Sequence, residues 1–124
     1  MKVLVASRDV RVRRALSRLL ELDGNRIVDA TDPPCLLRDL DAELGSDLVV
    51  LELDQRADSQ DLRVVEELAR RGRAVIAVCS RPASCAAILA AGAQTCLDKD
   101  VDFADRLAQA VRAVGGLRPP GPTT

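Results

Sequence analysis

The chain holds 124 residues, 48% hydrophobic and 30% charged, with a formal net charge of −1. That balance fits one domain around one packed core and argues against direct nucleic-acid binding. Histidine is absent, which excludes imidazole acid–base chemistry and histidine metal ligands, and the single aromatic, Phe103, leaves the core to Leu, Val, Ile and Ala.

The N-terminus reads directly as a strand over 2–6, with no signal-peptide pattern before it. The helix that follows places Val12, Ala15, Leu16, Leu19 and Leu20 on one face, the i, i+3, i+4, i+7, i+8 spacing of an amphipathic helix. Asp9 is its expected N-cap, and Asp23, Gly24 and Asn25 end it. A second strand covers 26–31. Asp32 then caps a helix with Pro33 at its first position and Leu37, Leu40 and Leu44 inward. Residues 47–54 form a continuous apolar run ending in carboxylates, which reads as a strand buried on both faces. A polar loop over 55–60 leads to a helix with Leu62, Val65 and Leu68 inward, ending at Gly72. A fourth strand spans 74–79. Pro82 opens a helix with Ile88 and Leu89 inward that stops at Gly92, a short fifth strand covers 95–98, and a final helix packs through Phe103, Leu107, Val111 and Val114. Residues 1–114 make the domain, and the Pro- and Gly-rich stretch 115–124 reads as a tail or linker. No apolar run approaches a membrane span.

Five β-α units in succession define an α/β fold. Right-handed crossovers put helices on both faces of a five-stranded parallel sheet. The simplest doubly wound solution is the flavodoxin-like order 2-1-3-4-5, whose crevice lies at the carboxyl ends of the strands where the order reverses. Ser7, Arg8 and Asp9 follow the first strand, Glu52 and Asp54 end the third, Cys79 and Ser80 end the fourth, and Lys99 and Asp100 follow the fifth. These residues are expected to meet in one crevice.

In this order and spacing, residues 1 to about 115 resemble the receiver domain of two-component response regulators. The likeness rests on 2–5 leading to Asp9, on 47–51 before the phosphoacceptor position, on 74–78 in the fourth strand, and on 91–93 followed by 97–99. Several positions depart from the family pattern. The acidic pair that would hold magnesium is replaced by Ser7 and Arg8, and the phosphoacceptor Asp by Glu52. The switch hydroxyl falls on Cys79 and the switch aromatic on Cys96. The Pro after Lys99 is Asp100, and only Lys99 stands unchanged among the residues that do chemistry.

Replacing two carboxylates by Ser and Arg removes the oxygen ligands magnesium wants and adds a charge that repels it. Glu52 is one methylene longer than Asp and is misplaced for in-line attack. A carboxylate between two cations, Arg8 and Lys99, is the expected arrangement, with no cofactor and no bound metal. The resemblance then implies a non-enzymatic, cytoplasmic pseudo-receiver that regulates signalling or transcription by protein contact, independent of phosphorylation. Two other readings stay open: an unusual but working phosphoacceptor, with Asp54 as a displaced candidate, and a sensor of a small anionic ligand using the vacated crevice.

The four cysteines, Cys35, Cys79, Cys85 and Cys96, form no CxxC pair, so reduced thiols and no zinc site are expected. Cys79 and Cys96 come near one another on adjacent strands; a redox switch there competes with the plainer reading of small buried apolar side chains. Residues 82–97 contain no charge at all. Ala86, Ala87 and Ala90 fall where an ordinary surface helix is polar. Either the helix is Ala-rich for propensity, or this helix, the fifth strand and the final helix form an interface for a homodimer or protein partner, the face through which receivers commonly pair. An output domain covalently attached after residue 124 is also implied by the resemblance.

Overall fold

A computed structural model describes residues 1–31, 47–53, 59–79, 85–98 and 102–117. The elements in chain order are β1 (Lys2–Ala6), α1 (Val10–Leu22), β2 (Arg26–Thr31), β3 (Leu48–Leu53), α2 (Ser59–Arg70), β4 (Ala74–Cys79), α3 (Cys85–Ala90), β5 (Thr95–Asp98) and α4 (Phe103–Leu117). The expected helix over 33–44, with Cys35, lies outside the described residues, as do Asp54, Ser80, Pro82, Lys99 and Asp100.

The strands form one sheet in the order β2-β1-β3-β4-β5, all pairs parallel, as the alternation of elements demanded. The β1–β2 register shifts once, between Val3 and Leu4. β3 is the central strand, and all six of its residues are buried, because helices cover both faces of the sheet. On one face Val3, Val5, Val50, Ile76 and Val78 pack against Leu16 and Leu20 of α1 and Leu107, Val111 and Val114 of α4. On the other, Leu4, Val49, Leu51, Leu53, Val75 and Ala77 pack against Val65 and Leu68 of α2 and Ile88 of α3. Strand periodicity of two assigns alternate residues to these two cores.

Local signals set most of the helix boundaries. Asp9 caps α1 by accepting from the Arg11 amide at 2.9 Å, and the chain leaves α1 at Asp23, where the amides of Gly24 and Asn25 return to Glu21 and Leu20. Arg112 of α4 reaches Asp23 at 2.8 Å and ties the last helix to the end of the first. α4 continues to Leu117, three residues past the expected domain boundary at 114. Two inward assignments differ from expectation. Ala15 is exposed, since Leu16 and Leu20 fill the contact with the sheet. Leu89, expected inward beside Ile88, is 45% exposed, while Ile88 is fully buried.

Candidate functional site

The crevice is built at the carboxyl ends of β1 and β3. These strands pair with Ala6 opposite Leu51, so the next residues, Ser7 and Glu52, emerge side by side. Both are buried, Ser7 at 0% and Glu52 at 5% exposure, and they are the buried polar residues among those described. The Ser7 hydroxyl donates to Glu52 Oε1 at 3.0 Å and accepts from the Asp9 amide at 3.0 Å. One hydroxyl thus links the central strand's carboxylate to the turn that starts α1. That turn is further held by Arg13, whose guanidinium donates to the Ser7 carbonyl at 2.7 Å.

Asp9 follows the expected capping role. Its carboxylate also meets Arg11 Nε at 3.5 Å. The Arg11 amide, then the Arg11 side chain, hold the Asp9 carboxyl below its ordinary range. Arg8 is exposed, and Lys99 and Asp54 lie outside the described residues. Glu52 accepts from the Ser7 hydroxyl, and Arg13 is a guanidinium that enters the turn from α1. Sequence reading missed Arg13, although its place four residues after the Asp9 cap brings it back over the first turn.

Cys79 ends β4 fully buried, and Cys96 is half-buried on β5. Their strands run with Ala77 opposite Cys96 and Cys79 opposite Asp98. A third thiol, Cys85, is the first residue of α3 and influences the titration of Cys96. All three are free thiols. Burial, then Cys85, push the Cys96 thiol well above its usual range, with Cys79 and Asp98 adding to the effect. Among the described residues, no group of three or more His, Cys, Asp or Glu is placed to hold a metal ion. Ala86, Ala87 and Ala90 are exposed on α3, and with Leu89 they give that helix an uncharged outer face. An open cleft of about 760 Å³ runs along α1, lined by Arg13, Arg14 and Arg18 among others, outside the Ser7–Glu52 crevice.

No family profile matches the chain, and no curated protein sequence does. Solved structures do. A response regulator receiver domain protein from Clostridium thermocellum is 24% identical with a TM-score of 0.76, over 91% of this chain and 92% of that one. The response regulator TrrA from Thermotoga maritima, solved in complex with Mg²⁺ and BeF, is 21% identical with a TM-score of 0.77, over 91% and 97%. The RcsB response regulator of Salmonella typhimurium, solved in a study of its DNA interaction, is 18% identical with a TM-score of 0.79, over 98% of this chain and 63% of that one. The fold of this chain is therefore the one that response regulator receiver domains share. No helix among the described residues is long and apolar enough to cross a membrane.

Proposed function

We propose that the chain is a pseudo-receiver: a non-enzymatic regulatory domain that works by protein contact in signal transduction or transcriptional control, without phosphorylation. The observation that carries this reading is the pairing of Ser7 with Glu52. In the receiver fold these positions belong to the magnesium-binding pair and the phosphoacceptor. Here the Ser7 hydroxyl spends its proton on Glu52 Oε1, and the neighbouring acid, Asp9, has turned into a helix cap. One buried carboxylate and one engaged hydroxyl do not suit magnesium, which wants near-octahedral oxygen coordination. Without the ion, the charge on a transferring phosphoryl group is poorly neutralised.

The exposed, uncharged face of α3, together with β5 and α4, is the proposed contact surface for a homodimer or partner. In this reading the domain serves as the regulatory part of a larger regulator, as the longer RcsB chain illustrates. The test is incubation with acetyl phosphate and magnesium, read by intact mass. No gain is expected; a gain of about 80 Da, one phosphoryl group, that disappears in Glu52→Gln or Asp54→Asn refutes the proposal. Titration calorimetry with magnesium is expected to show no one-to-one site, and an isotherm abolished by Glu52→Gln refutes it equally.

A further inference from the structure

The outer face of α1 concentrates positive charge that the receiver-like reading does not use. The whole chain has a net charge of −1, yet 8–18 holds five arginines against one acid, Asp9. Val10, Arg13, Arg14, Ser17, Arg18 and Glu21 line the open cleft of about 760 Å³. Their spacing, i, i+3, i+4, i+7, i+8 and i+11, marks one face of a helix, and the opposite face packs Leu16 and Leu20 on the sheet. Helix energetics do not favour this placement. Beyond the Asp9 cap, α1 has no acid in its first turn, so Arg11, Arg13 and Arg14 crowd the positive end of the helix dipole. Arg14 and Arg18, both exposed and one turn apart, repel each other, and neither makes an ion pair among the described residues. Arg13 donates to the Ser7 carbonyl at 2.7 Å, which holds its guanidinium near the start of the helix and leaves the rest of its five-donor fork for other acceptors. Ser17 lines the cleft between the arginines, and its hydroxyl is buried with no hydrogen-bond partner among the described residues. A buried unsatisfied hydroxyl calls for an explanation, and the oxygen of a bound anion supplies one.

We propose that the α1 cleft binds a small organic diphosphate, held by Arg13, Arg14 and Arg18 with Ser17 between them. This goes beyond the pseudo-receiver reading and does not depend on it. A guanidinium presents a planar fork of donors that matches phosphate oxygens. Arg14 and Arg18 are one helical turn apart, about 5–6 Å between Cβ atoms. A diphosphate, charged at both phosphoryl groups, engages two such forks at once, whereas a single phosphate favours one. The cleft has the size of a small-molecule site, about 300–1,000 Å³. Its concave form and the negative net charge of the chain disfavour a nucleic-acid track. Val10 and Leu22, 48% and 76% exposed, also line the cleft and offer apolar surface to the organic part. Glu21 sets the limit of the site, because its carboxylate repels an anion and keeps the diphosphate over the turns from Arg13 to Arg18. Since Arg13 also holds the Ser7 carbonyl, the ligand lies one side chain from the Ser7–Glu52 pair.

The experiment titrates the full chain with sodium pyrophosphate, orthophosphate and ADP by calorimetry in low-salt, metal-free buffer. The expected result is a one-to-one isotherm for pyrophosphate, weaker binding of orthophosphate, binding of ADP at least as tight as that of pyrophosphate, and loss of affinity as salt is added. Arg14→Ala and Arg18→Ala should each weaken pyrophosphate by at least about tenfold, the loss of a hydrogen bond to a charged group. Ser17→Ala should weaken it as well, and Glu21→Gln should tighten it. Arg63→Ala, which removes an exposed arginine from α2, should change nothing. Amide shifts of the wild-type chain on adding pyrophosphate should centre on 13–18, a readout that needs no variant to fold. Absence of binding at about 1 mM pyrophosphate, equal affinity for orthophosphate, or weaker binding of ADP than of pyrophosphate would each overturn the proposal. So would a loss with Arg63→Ala equal to that with Arg14→Ala. A loss with Arg8→Ala while Arg14→Ala and Arg18→Ala bind normally would overturn it too, because the ligand then occupies the Ser7–Glu52 crevice.

Discussion

Replacing Ser7 with alanine tests the crevice at its smallest part. The substitution deletes one oxygen from a site with 0% exposure and breaks two hydrogen bonds, to Glu52 Oε1 and from the Asp9 amide, each 3.0 Å long. A bond to a charged group contributes about 1.5–3 kcal/mol and a neutral one about 0.5–1.5 kcal/mol. The summed cost is therefore about 2–4 kcal/mol. With a urea slope of about 2 kcal/mol per M, the unfolding midpoint should fall by roughly 1–2 M while the slope stays constant. A double-mutant cycle isolates the carboxylate's share. In a Glu52→Leu background, Ser7→Ala should cost only the amide's portion, about 0.5–1.5 kcal/mol. A cost below about 0.5 kcal/mol in the wild type, or equal costs in both backgrounds, would refute the coupling between Ser7 and Glu52 and the crevice built on it.

Gly92 turns the chain after α3 at φ +121°, and a Cβ there would stand 2.6 Å from Ala69 Cβ on α2. Left-handed strain plus overpacking should make Gly92→Ala cost about 2–4 kcal/mol; Gly72→Ala, at φ +75° with nothing within 4 Å, should cost only about 1–2 kcal/mol. Equal losses in thermal unfolding would contradict the close α2–α3 approach. On the outer face of α3, Ala87→Glu or Ala90→Glu should shift sedimentation from dimer to monomer without loss of fold, because an isologous interface meets each new charge twice; a wild-type monomer at tens of micromolar with no captured partner defeats the interface. At the start of α1, the Asp9 carboxyl titrates below its ordinary 3.8 in the folded chain, so its cap contributes fully above that value and is lost as pH falls through the lower folded one. The melting-temperature gap between wild type and Asp9→Ala should be complete near neutrality and close below about pH 4; a gap that persists in acid rules out the carboxylate as the capping group.

The architecture was legible because it rests on long patterns. The unbroken apolar run of β3 required cover on both faces, and its six residues are all buried. Val65 and Leu68, or Leu107, Val111 and Val114, recur at helical spacing and lie where that spacing puts them. Short, unpatterned pieces were less legible. Around α3 every residue is small or apolar, so no polar face fixes the helix phase. That is why spacing alone does not separate Leu89, which is exposed, from Ile88, which is buried.

The centre of the crevice illustrates a different limit. Charge arithmetic favours cations beside Glu52, since Arg8 and Lys99 are near it in the pattern, and Lys99 lies outside the described residues. Burial adds a second consideration. Taking a guanidinium out of water beside a buried carboxylate costs desolvation of both ions, and the attraction between them offsets it only with very good geometry. A serine hydroxyl satisfies one carboxylate oxygen without bringing a second charge indoors, and Ser7 does so at 3.0 Å. Arg8, next in the chain, is exposed. Arg13 reaches the same turn from α1, and it does so through the Ser7 carbonyl, a neutral acceptor. The sequence identifies which charges lie near Glu52; the hydroxyl contact from Ser7 depends on a burial that no residue pattern states.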